Sequence, residues 1–108
     1  MGAAVAARLA QDGARVAVFD VVPPATPSAS FRAVDVSDSR AVEYAVEAVA
    51  AEHGRLDVLV SCAGVLHTAK LVDTDDDALH RIIAINLLGS IYAARSCVRR
   101  MLAAGRSG

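Results

Sequence analysis

Residues 1–20 read MGAAVAARLAQDGARVAVFD and join a helix pattern to a strand pattern. Small and apolar residues recur at helical spacing in the first half, with Arg8 and Gln11 on the opposite side. Gly13 is expected to end this helix. The run 16–19 is β-branched and aromatic, which is typical of a buried parallel strand. The segment therefore predicts a helix lying close on a sheet, followed by a short buried strand.

An acidic residue follows this strand directly. Asp20 falls where the strand would emerge from the sheet, and a carboxylate in that position can accept hydrogen bonds from ribose hydroxyls. In a dinucleotide-binding unit, such an acid lies roughly 20 residues beyond a glycine-rich turn, and the pyrophosphate sits at the N-terminus of the intervening helix. Acids at strand ends also cap turns or helices, so this second interpretation stays open. The helix and the acid are present, whereas most of the glycine-rich turn is not.

The next forty residues continue the alternation of strands and helices. Pro23, Pro24 and Pro27 predict an open connection without regular helix. A second short strand is expected over 31–36, and a helix with inward apolar residues is expected over 39–53. Ser37 is positioned to cap that helix, and Gly54 follows it as a stop signal.

The remaining residues predict one more strand and a long helix. The run 56–61, LDVLVS, is almost continuously apolar and predicts a third strand that is buried on both faces. A polar connection leads to a helical tract over about 78–104, with a kink expected near Asn86 or Gly89. Its apolar residues cover more of the helix than one sheet would bury, which suggests a partner subunit. The element order predicts a parallel α/β sheet of the Rossmann type.

Composition excludes several classes of function. The chain has 108 residues, a formal net charge of -1 and 55% hydrophobic residues, so we expect one domain and no nucleic-acid or anionic-membrane partner. The longest uncharged run, 82–94, is shorter than the roughly 18 apolar residues of a membrane span. No secretion signal pattern is present at the N-terminus. We expect a soluble, cytoplasmic protein.

The cysteines and histidines do not form a metal-binding pattern. Cys62 and Cys97 are too few for a disulfide framework and are expected to be buried thiols in a reducing compartment. His53, His67 and His80 share no ligand spacing and are interpreted as surface or loop residues. No metal site is predicted.

The beginning of the sequence resembles the short-chain dehydrogenase/reductases. The resemblance lies in the segment 1–4, MGAA, in the segment 14–16, ARV, and in Asp20. In that family the first strand runs into T-G-x-x-x-G-x-G before this helix, and Gly2 matches the last glycine. The resemblance implies that the sequence begins inside the cofactor loop and that the first strand and earlier glycines lie outside it.

Two further segments match the cofactor-binding pattern of this family. Asp35 and Val36 match the family's Asp-Val pair, whose acid side chain and following amide flank the adenine ring. Cys62, Ala63 and Gly64 resemble the Asn-Ala-Gly that lets the backbone approach the cofactor, with cysteine in place of asparagine. Helix capping by the acid and an ordinary strand-end turn at the glycine are the structural alternatives.

The catalytic residues of the family are mostly absent. Asn86 matches the helix asparagine that helps to hold a proton-relay water behind the catalytic lysine, although any asparagine in an apolar helix needs partners. The family's Tyr-x-x-x-Lys pair does not occur, because Tyr44 is followed four residues later by Ala48 and Tyr92 by Ser96. We therefore expect the chain alone to be inactive.

The resemblance also implies an incomplete sheet. In the strand order 3-2-1-4, the missing first strand lies between the strand ending at Asp20 and the strand ending at Ser61, so two inner edges would be exposed. We expect residues 1–108, a partial dinucleotide-binding domain, to be loosely packed or aggregating, or to close up by pairing those two strands directly.

Three functional hypotheses follow. The first is a fragment of an NAD-dependent oxidoreductase that transfers hydride between NAD and an alcohol or ketone, such as a cyclic dihydrodiol, with homo-oligomerisation through 78–104. The Asp20 carboxylate would repel the 2′-phosphate of NADP, so NAD is the preferred cofactor. The second is a non-catalytic nucleotide-binding or dimerising remnant. The third is another parallel α/β protein such as a methyltransferase, against which the matches at 62–64 and at Asn86 argue.

Overall fold

The computed structural model describes residues 1–23 and 30–105. In chain order these contain α1 (Gly2–Gln11), β1 (Ala17–Asp20), β2 (Ser30–Ala33), α2 (Ser39–His53), a 3-10 turn (Leu71–Asp73), α3 (Asp76–Ile82), a π-helical segment (Ile83–Leu88) and α4 (Gly89–Ala103). Most of the predicted proline-rich connection, including Pro24 and Pro27, lies outside the described residues.

The two strands form a parallel pair, as predicted. Ala17 lies opposite Ser30 and Asp20 opposite Ala33. The second strand ends at Ala33, so the prediction that it extends to 36 is wrong. The chain turns there because Asp35 accepts hydrogen bonds from the amide and hydroxyl of Ser37. Parallel pairing places the carboxyl ends of both strands at one edge of the sheet.

Helix α2 spans its predicted range, but its N-cap lies one residue later than predicted. Asp38, and not Ser37, is the N-cap, and its Oδ1 accepts hydrogen bonds from the amides of Arg40 at 3.1 Å and Ala41 at 3.2 Å. The Ser37 hydroxyl is already bound to Asp35, which removes it from the capping position. Gly54 ends the helix as predicted, with a left-handed φ of 76° that favours glycine.

The packed core lies between α2, α4 and the segment that follows β2. The inward face predicted for α2 is confirmed, since its five apolar residues at helical spacing are buried, namely Val42, Ala45, Val46, Val49 and Ala50. Phe19 of β1 packs against the same cluster. The buried hydrophobic residues are Val34, Val42, Ala45, Val46, Val49, Ala50, Cys97 and Met101.

The predicted third strand is not formed. Residues 56–60 have no strand ladder, and the prediction that they are buried on both faces is wrong. Val58 is 66% exposed and Val60 is 47% exposed. An open space of about 1260 Å³ lies between this segment, β1 and α1, and we call it the central cleft. The segment lacks a ladder because no strand occupies the cleft, and β1 has not moved across to pair with it.

Helix α1 forms within its predicted range but does not lie close on a sheet. None of its residues is buried. Its apolar residues Val5 and Leu9 are half-buried and line the central cleft. On the opposite side, Arg8 forms an exposed ion pair with Asp12 at 3.2 Å. Helix α1 therefore borders the central cleft, and its apolar side does not pack on a sheet.

The overall dimensions agree with an incomplete α/β unit. The radius of gyration is 15.1 Å, whereas a compact chain of this length has about 13 Å. The accessible surface is 7470 Å², whereas a compact monomer of this mass exposes about 5700 Å². The fold is thus a Rossmann-type layer in which one side of the sheet is packed and the other side is open.

The long helical tract runs without interruption over Asp76–Ala103. Asp75 caps its start through the amide of Ala78, and the segment Ile83–Leu88, where a kink was predicted near Asn86 or Gly89, is π-helical. Among the described residues, this tract is long and apolar enough to cross a membrane. A core helix of a water-soluble protein satisfies the same criteria, and the buried α4 residues Cys97 and Met101 pack it in the core cluster that α2 shares.

Gly89 allows the start of α4 to lie against the chain after β2. A Cβ at this buried position would lie 2.7 Å from Cγ2 and 3.1 Å from Cβ of Val36. We predict that Gly89→Ala destabilises the chain by about 1 kcal/mol, although alanine normally stabilises a helix relative to glycine. Urea unfolding followed by far-ultraviolet circular dichroism measures this change.

Gly2→Ala is the matched control for this substitution. Its Cβ would meet only the Cβ of Cys62 at 3.5 Å, an ordinary contact, so no loss of stability is expected. Val36→Ala should restore part of the loss in the double variant because it removes the nearest methyl group. Equal stabilisation by both glycine substitutions would contradict the role of Gly89 in packing.

Candidate functional site

Seven of the eight predicted site residues line one cavity. The central cleft is lined by the carboxyl end of β1, the chain after β2 and the segment 62–64. The first two lie at one edge of the sheet because β1 and β2 are parallel. The seven residues are Gly2, Asp20, Asp35, Val36, Cys62, Ala63 and Gly64.

Asp20 occupies the end of β1 with an exposed side chain. Its Oδ1 accepts a hydrogen bond from the amide of Val21 at 2.7 Å and a longer one from Val22 at 3.5 Å. The carboxylate therefore turns the chain as it leaves the sheet, which is the structural alternative considered for this residue. It also places a negative charge at the cleft opening, where a polar ligand would have access.

Asp35 lies in the turn between β2 and α2 and is held by Ser37. The hydroxyl of Ser37 donates to Asp35 Oδ1 at 2.6 Å, and the amide of Ser37 donates to the same atom at 3.0 Å. These two bonds hold the pKa of the Asp35 carboxyl below its usual value, and the positive charge of Arg81 adds a smaller effect in the same direction. Asp35 is therefore ionised at neutral pH and fixed in orientation.

The N-terminus of α1 opens onto the same cleft. Gly2 begins this helix and lies beside Cys62, as the 3.5 Å distance from its hypothetical Cβ to the cysteine Cβ indicates. Met1 provides no side-chain cap, so the first backbone amides of the helix keep their capacity to donate hydrogen bonds. A helix N-terminus with free amides favours anionic ligand groups such as phosphate.

Asn86 supports the cleft wall from behind. Its Oδ1 accepts a hydrogen bond from the amide of Val65 at 2.7 Å, and its Nδ2 donates to the carbonyl of Val65 at 2.9 Å. A Cβ at Gly64 would lie 3.3 Å from Asn86 Oδ1, so a larger residue there would crowd this pair. The side chain projects from the π-helical segment, a feature that is frequent at functional sites. Asn86 thus positions 64–65 and does not itself line the cleft.

Three residues of this wall were not predicted from the sequence. The Ser90 hydroxyl lies 3.1 Å from that of Ser61 and ties α4 to the segment preceding Cys62. Ser90 follows Asn86 by four residues, a spacing that places both on one helix face and could have indicated it. Arg81 lines the cleft near Asp35, and Gly89 contacts Val36. For these two residues, only the three-dimensional packing reveals the relation.

Within residues 1–23 and 30–105, no group of three or more His, Cys, Asp and Glu side chains is placed to hold a metal ion. Cys62 and Cys97 are both free thiols, and burial raises the pKa of Cys97. The candidate site consists of the backbone amides at the start of α1, the exposed carboxylates of Asp20 and Asp35, and the small residues Ala63 and Gly64.

Comparisons with known proteins show what the chain as a whole is similar to. The family model described as enoyl-(acyl carrier protein) reductase matches residues 1–108. Aldohexose dehydrogenase of Thermoplasma acidophilum has a similar structure, with a TM-score of 0.91 and 26% identity over 94% of this chain and 40% of that chain.

Two curated relatives match at higher identity. D-threitol dehydrogenase of Mycolicibacterium smegmatis is 34% identical over 97% of this chain and 45% of its own length. Short-chain dehydrogenase reductase 5 of Arabidopsis thaliana is 36% identical over the same shares of the two chains. The chain spans less than half the length of these relatives. From the family match over its whole length, the chain belongs to the short-chain dehydrogenase/reductase family.

Proposed function

We propose that residues 1–108 form the nucleotide-binding part of an NAD-dependent oxidoreductase. The observation that carries this proposal is the convergence of the α1 N-terminus, Asp20, Asp35 and Gly64 on one cleft. These groups differ in chemistry, and each suits a different part of one dinucleotide. Bound NAD would supply the hydride acceptor, and NADH the donor.

The groups of the cleft suit the parts of the dinucleotide in order. The free amides at the start of α1, beside Gly2, would receive the pyrophosphate. Asp20 would accept hydrogen bonds from the adenosine ribose, and Asp35 with the amide of Val36 would flank the adenine. The small residues Ala63 and Gly64 would let the backbone approach the rest of the cofactor.

The charge of Asp20 supports NAD over NADP. A 2′-phosphate on the same ribose would bring a second negative group to within a few ångströms of the carboxylate. Two like charges about 4 Å apart repel by roughly 1 kcal/mol even in water. Arg15, the residue nearest in sequence that could neutralise a phosphate, precedes β1 and lies at the opposite end of the strand from Asp20.

Hydride transfer would need residues that these 108 do not contain. No Tyr-x-x-x-Lys pair is present, so the general acid and base of the family would have to come from elsewhere. The substrate class is a small alcohol or ketone. The names of the relatives, a D-threitol dehydrogenase and an aldohexose dehydrogenase, support a polyol or sugar. A cyclic dihydrodiol stays a prediction from the sequence.

Asn86 is proposed to act as a positioning residue. Its two hydrogen bonds to Val65 fix the chain just after Gly64, where the cofactor would lie. A further role in holding a relay water, implied by the family resemblance, would use the same side chain in a complete enzyme.

The exposed face of the helical tract supports homo-oligomerisation. Ile83, Leu87 and Ile91 are spaced by four residues and are each about half exposed. An apolar stripe of this kind on a soluble helix is typical of a subunit interface. We propose that this stripe pairs with a second copy and that the protein functions in the cytoplasm, where Cys62 and Cys97 stay reduced.

A second candidate is a nucleotide-binding or dimerising remnant without catalysis. The same cleft favours it, since nothing in the proposed binding step depends on the catalytic pair. Binding of NADH with no oxidation of any alcohol by the complete natural protein would favour this candidate over the first.

The first prediction concerns Asp20 and is measured by titration with NADH and NADPH. The chain has no tryptophan, so the nucleotide fluorescence can be followed without interference from protein emission. We expect NADH to bind more tightly than NADPH, and Asp20→Ala to reduce this preference by about fivefold or more, because both the ribose bonds and the repulsion are lost.

Asp12→Ala removes the same charge from the outer side of α1 and serves as the matched control. It should leave the preference unchanged. Unaltered discrimination in Asp20→Ala, with NADH still bound, would show that Asp20 does not contact the ribose.

The second prediction concerns Asn86. Asn86→Leu removes both hydrogen bonds to Val65, each contributing about 1 kcal/mol, and should speed amide exchange at Val65 and weaken NADH binding. Asn86→Asp keeps an acceptor for the Val65 amide but sets a carboxylate oxygen against the Val65 carbonyl, so a smaller effect is expected on exchange of the Val65 amide than with leucine. Equal amide exchange at Val65 in the wild type and both variants would contradict the positioning role.

The third prediction concerns assembly. Leu87→Lys places a charge in the middle of the exposed stripe and should convert a dimer into a monomer, as measured by sedimentation velocity. Glu43→Lys changes an exposed residue of α2 and should leave the oligomeric state unchanged. Dimers that survive Leu87→Lys would place the interface elsewhere.

A further inference from the structure

A row of residues at every fourth position of the helical tract lines the central cleft. The row consists of Arg81, Ile85, Gly89, Ala93 and Cys97. Residues four apart lie on one face of a helix, so the tract presents this face to the cleft. Arg81 is the only charged member of the row, and its side chain is exposed. The helical tract therefore brings one positive charge to a cleft wall that is otherwise uncharged.

The positive charge of Arg81 lies near the chain that follows β2. Hydrogen bonds from Ser37 chiefly lower the pKa of the Asp35 carboxyl, and the charge of Arg81 lowers it further. Gly89, about two helical turns after Arg81, contacts Val36. The same helix face thus lies beside both residues that are proposed to flank the adenine.

The fold itself does not use the guanidinium of Arg81. Within residues 1–23 and 30–105, this group forms no hydrogen bond and no ion pair. The other arginines that line the cleft in these ranges are placed differently. Arg55 is bound by both carboxylate oxygens of Asp57. Arg15 precedes β1 and lies at the opposite end of that strand from Asp20. Arg81 is therefore the cleft arginine that is available to a ligand beside Asp35.

The chemistry of adenine indicates which part of the base Arg81 can contact. An ionised carboxylate only accepts hydrogen bonds, so Asp35 suits the amino group at the edge of the base. The amide of Val36 donates and suits a ring nitrogen of the same edge. The face of the base stays open to groups from the helical tract. A guanidinium is planar and delocalised, and it packs on aromatic faces by stacking and cation–π contacts.

We propose that Arg81 is an adenine-binding residue, whose guanidinium covers one face of the base that Asp35 and Val36 hold at its edge. This role rests on the proposed nucleotide site and adds a residue to it. The negative charge of Asp35 attracts the guanidinium toward the base. Ile85, one turn after Arg81, borders the base from the helix. Arg81 thereby contributes to the affinity for the adenosine half of the dinucleotide and makes no contact with the nicotinamide half.

The test divides the dinucleotide into its parts. NADH, adenosine and reduced nicotinamide mononucleotide are titrated into the wild-type chain and into Arg81→Ala, and binding is followed by the chemical shifts of the backbone amides. Adenosine has the base and no phosphate, whereas the mononucleotide has a phosphate and no adenine. We expect Arg81→Ala to weaken the binding of NADH and adenosine about three- to fivefold, because the contact with the base is lost. The affinity for the mononucleotide should be unchanged.

Two further variants separate the planar contact from the charge. Arg81→Lys keeps the positive charge and loses the planar group, so it should bind adenosine more weakly than the wild type and more tightly than Arg81→Ala. Arg99→Ala removes the same charge from an exposed position of α4 outside the cleft lining, and it should bind all three ligands as the wild type does. Arg81 is itself exposed and alanine favours a helix, so Arg81→Ala should retain the fold.

Three results would overturn the proposal. Equal affinities of the wild type and Arg81→Ala for NADH and adenosine would exclude a contact with the base. A mononucleotide weakened as much as adenosine would show an effect of charge or of general structure. The absence of NADH binding to the wild-type chain would overturn the nucleotide site together with the role of Arg81. The first two results leave the nucleotide site intact, so the two failures are distinguishable.

Discussion

The packing of α2 against α4 at one side of the parallel β1–β2 pair holds the described structure together. Val42 and Ala45 of α2 meet Cys97 and Met101 of α4, and Phe19 of β1 joins this cluster. Every other element is placed relative to this layer. The constraint that accompanies it is general: a parallel sheet is stable when both of its faces are covered and its inner strands are paired on both edges. Here one face meets that condition and the other does not.

The unfilled side explains most of the unusual features of the molecule. Apolar residues of 56–60 are exposed, α1 lacks a buried face, and the radius of gyration exceeds that of a compact chain. Each of these features is a consequence of a single vacant strand position. Exposed backbone edges of this kind readily pair with other chains.

The residues of the candidate site are held in place by the packed side of the molecule, so their positions do not require a strand in the central cleft. Asp20 and Asp35 are positioned by the β1–β2 register and by the turn into α2. Gly64 is positioned by Asn86, which belongs to the helical tract and not to the sheet. The cleft wall is therefore held by α-helical contacts even where the strand ladder is absent. This separation is why a nucleotide site can be proposed in an incomplete α/β unit.

The sequence pattern correctly predicted those elements whose packing partners lie within the described residues. The inward face of α2, its end at Gly54 and the parallel pairing of β1 with β2 were all predicted correctly. The prediction of a strand at 56–61 was wrong. Its apolar pattern indicates a segment suited to a buried strand, but a strand ladder also requires a neighbouring strand, and none of the described residues pairs with it.

The smaller errors arose where neighbouring polar groups compete for the same hydrogen bond. Other residues of the site were missed because their contacts join parts of the chain that are distant in sequence. Asp38 caps α2 because the hydroxyl of Ser37 is bound to Asp35, a choice between adjacent groups that sequence alone does not determine. The contact between Gly89 and Val36 joins residues that are distant in sequence. The residues expected at the cofactor were predicted because their identity and order match a known family pattern, and their roles stay a prediction.

The central claim is that one cleft gathers the groups that bind a nicotinamide dinucleotide. The most direct measurement is a titration of the isotopically labelled chain with NADH, followed by the chemical shifts of its backbone amides. The account predicts saturable shifts at Gly2, Asp20, Val36 and Gly64, the residues that line the cleft from four different segments. Shifts confined to the outer face of α4, or no saturable shifts at any of these four residues, would contradict it.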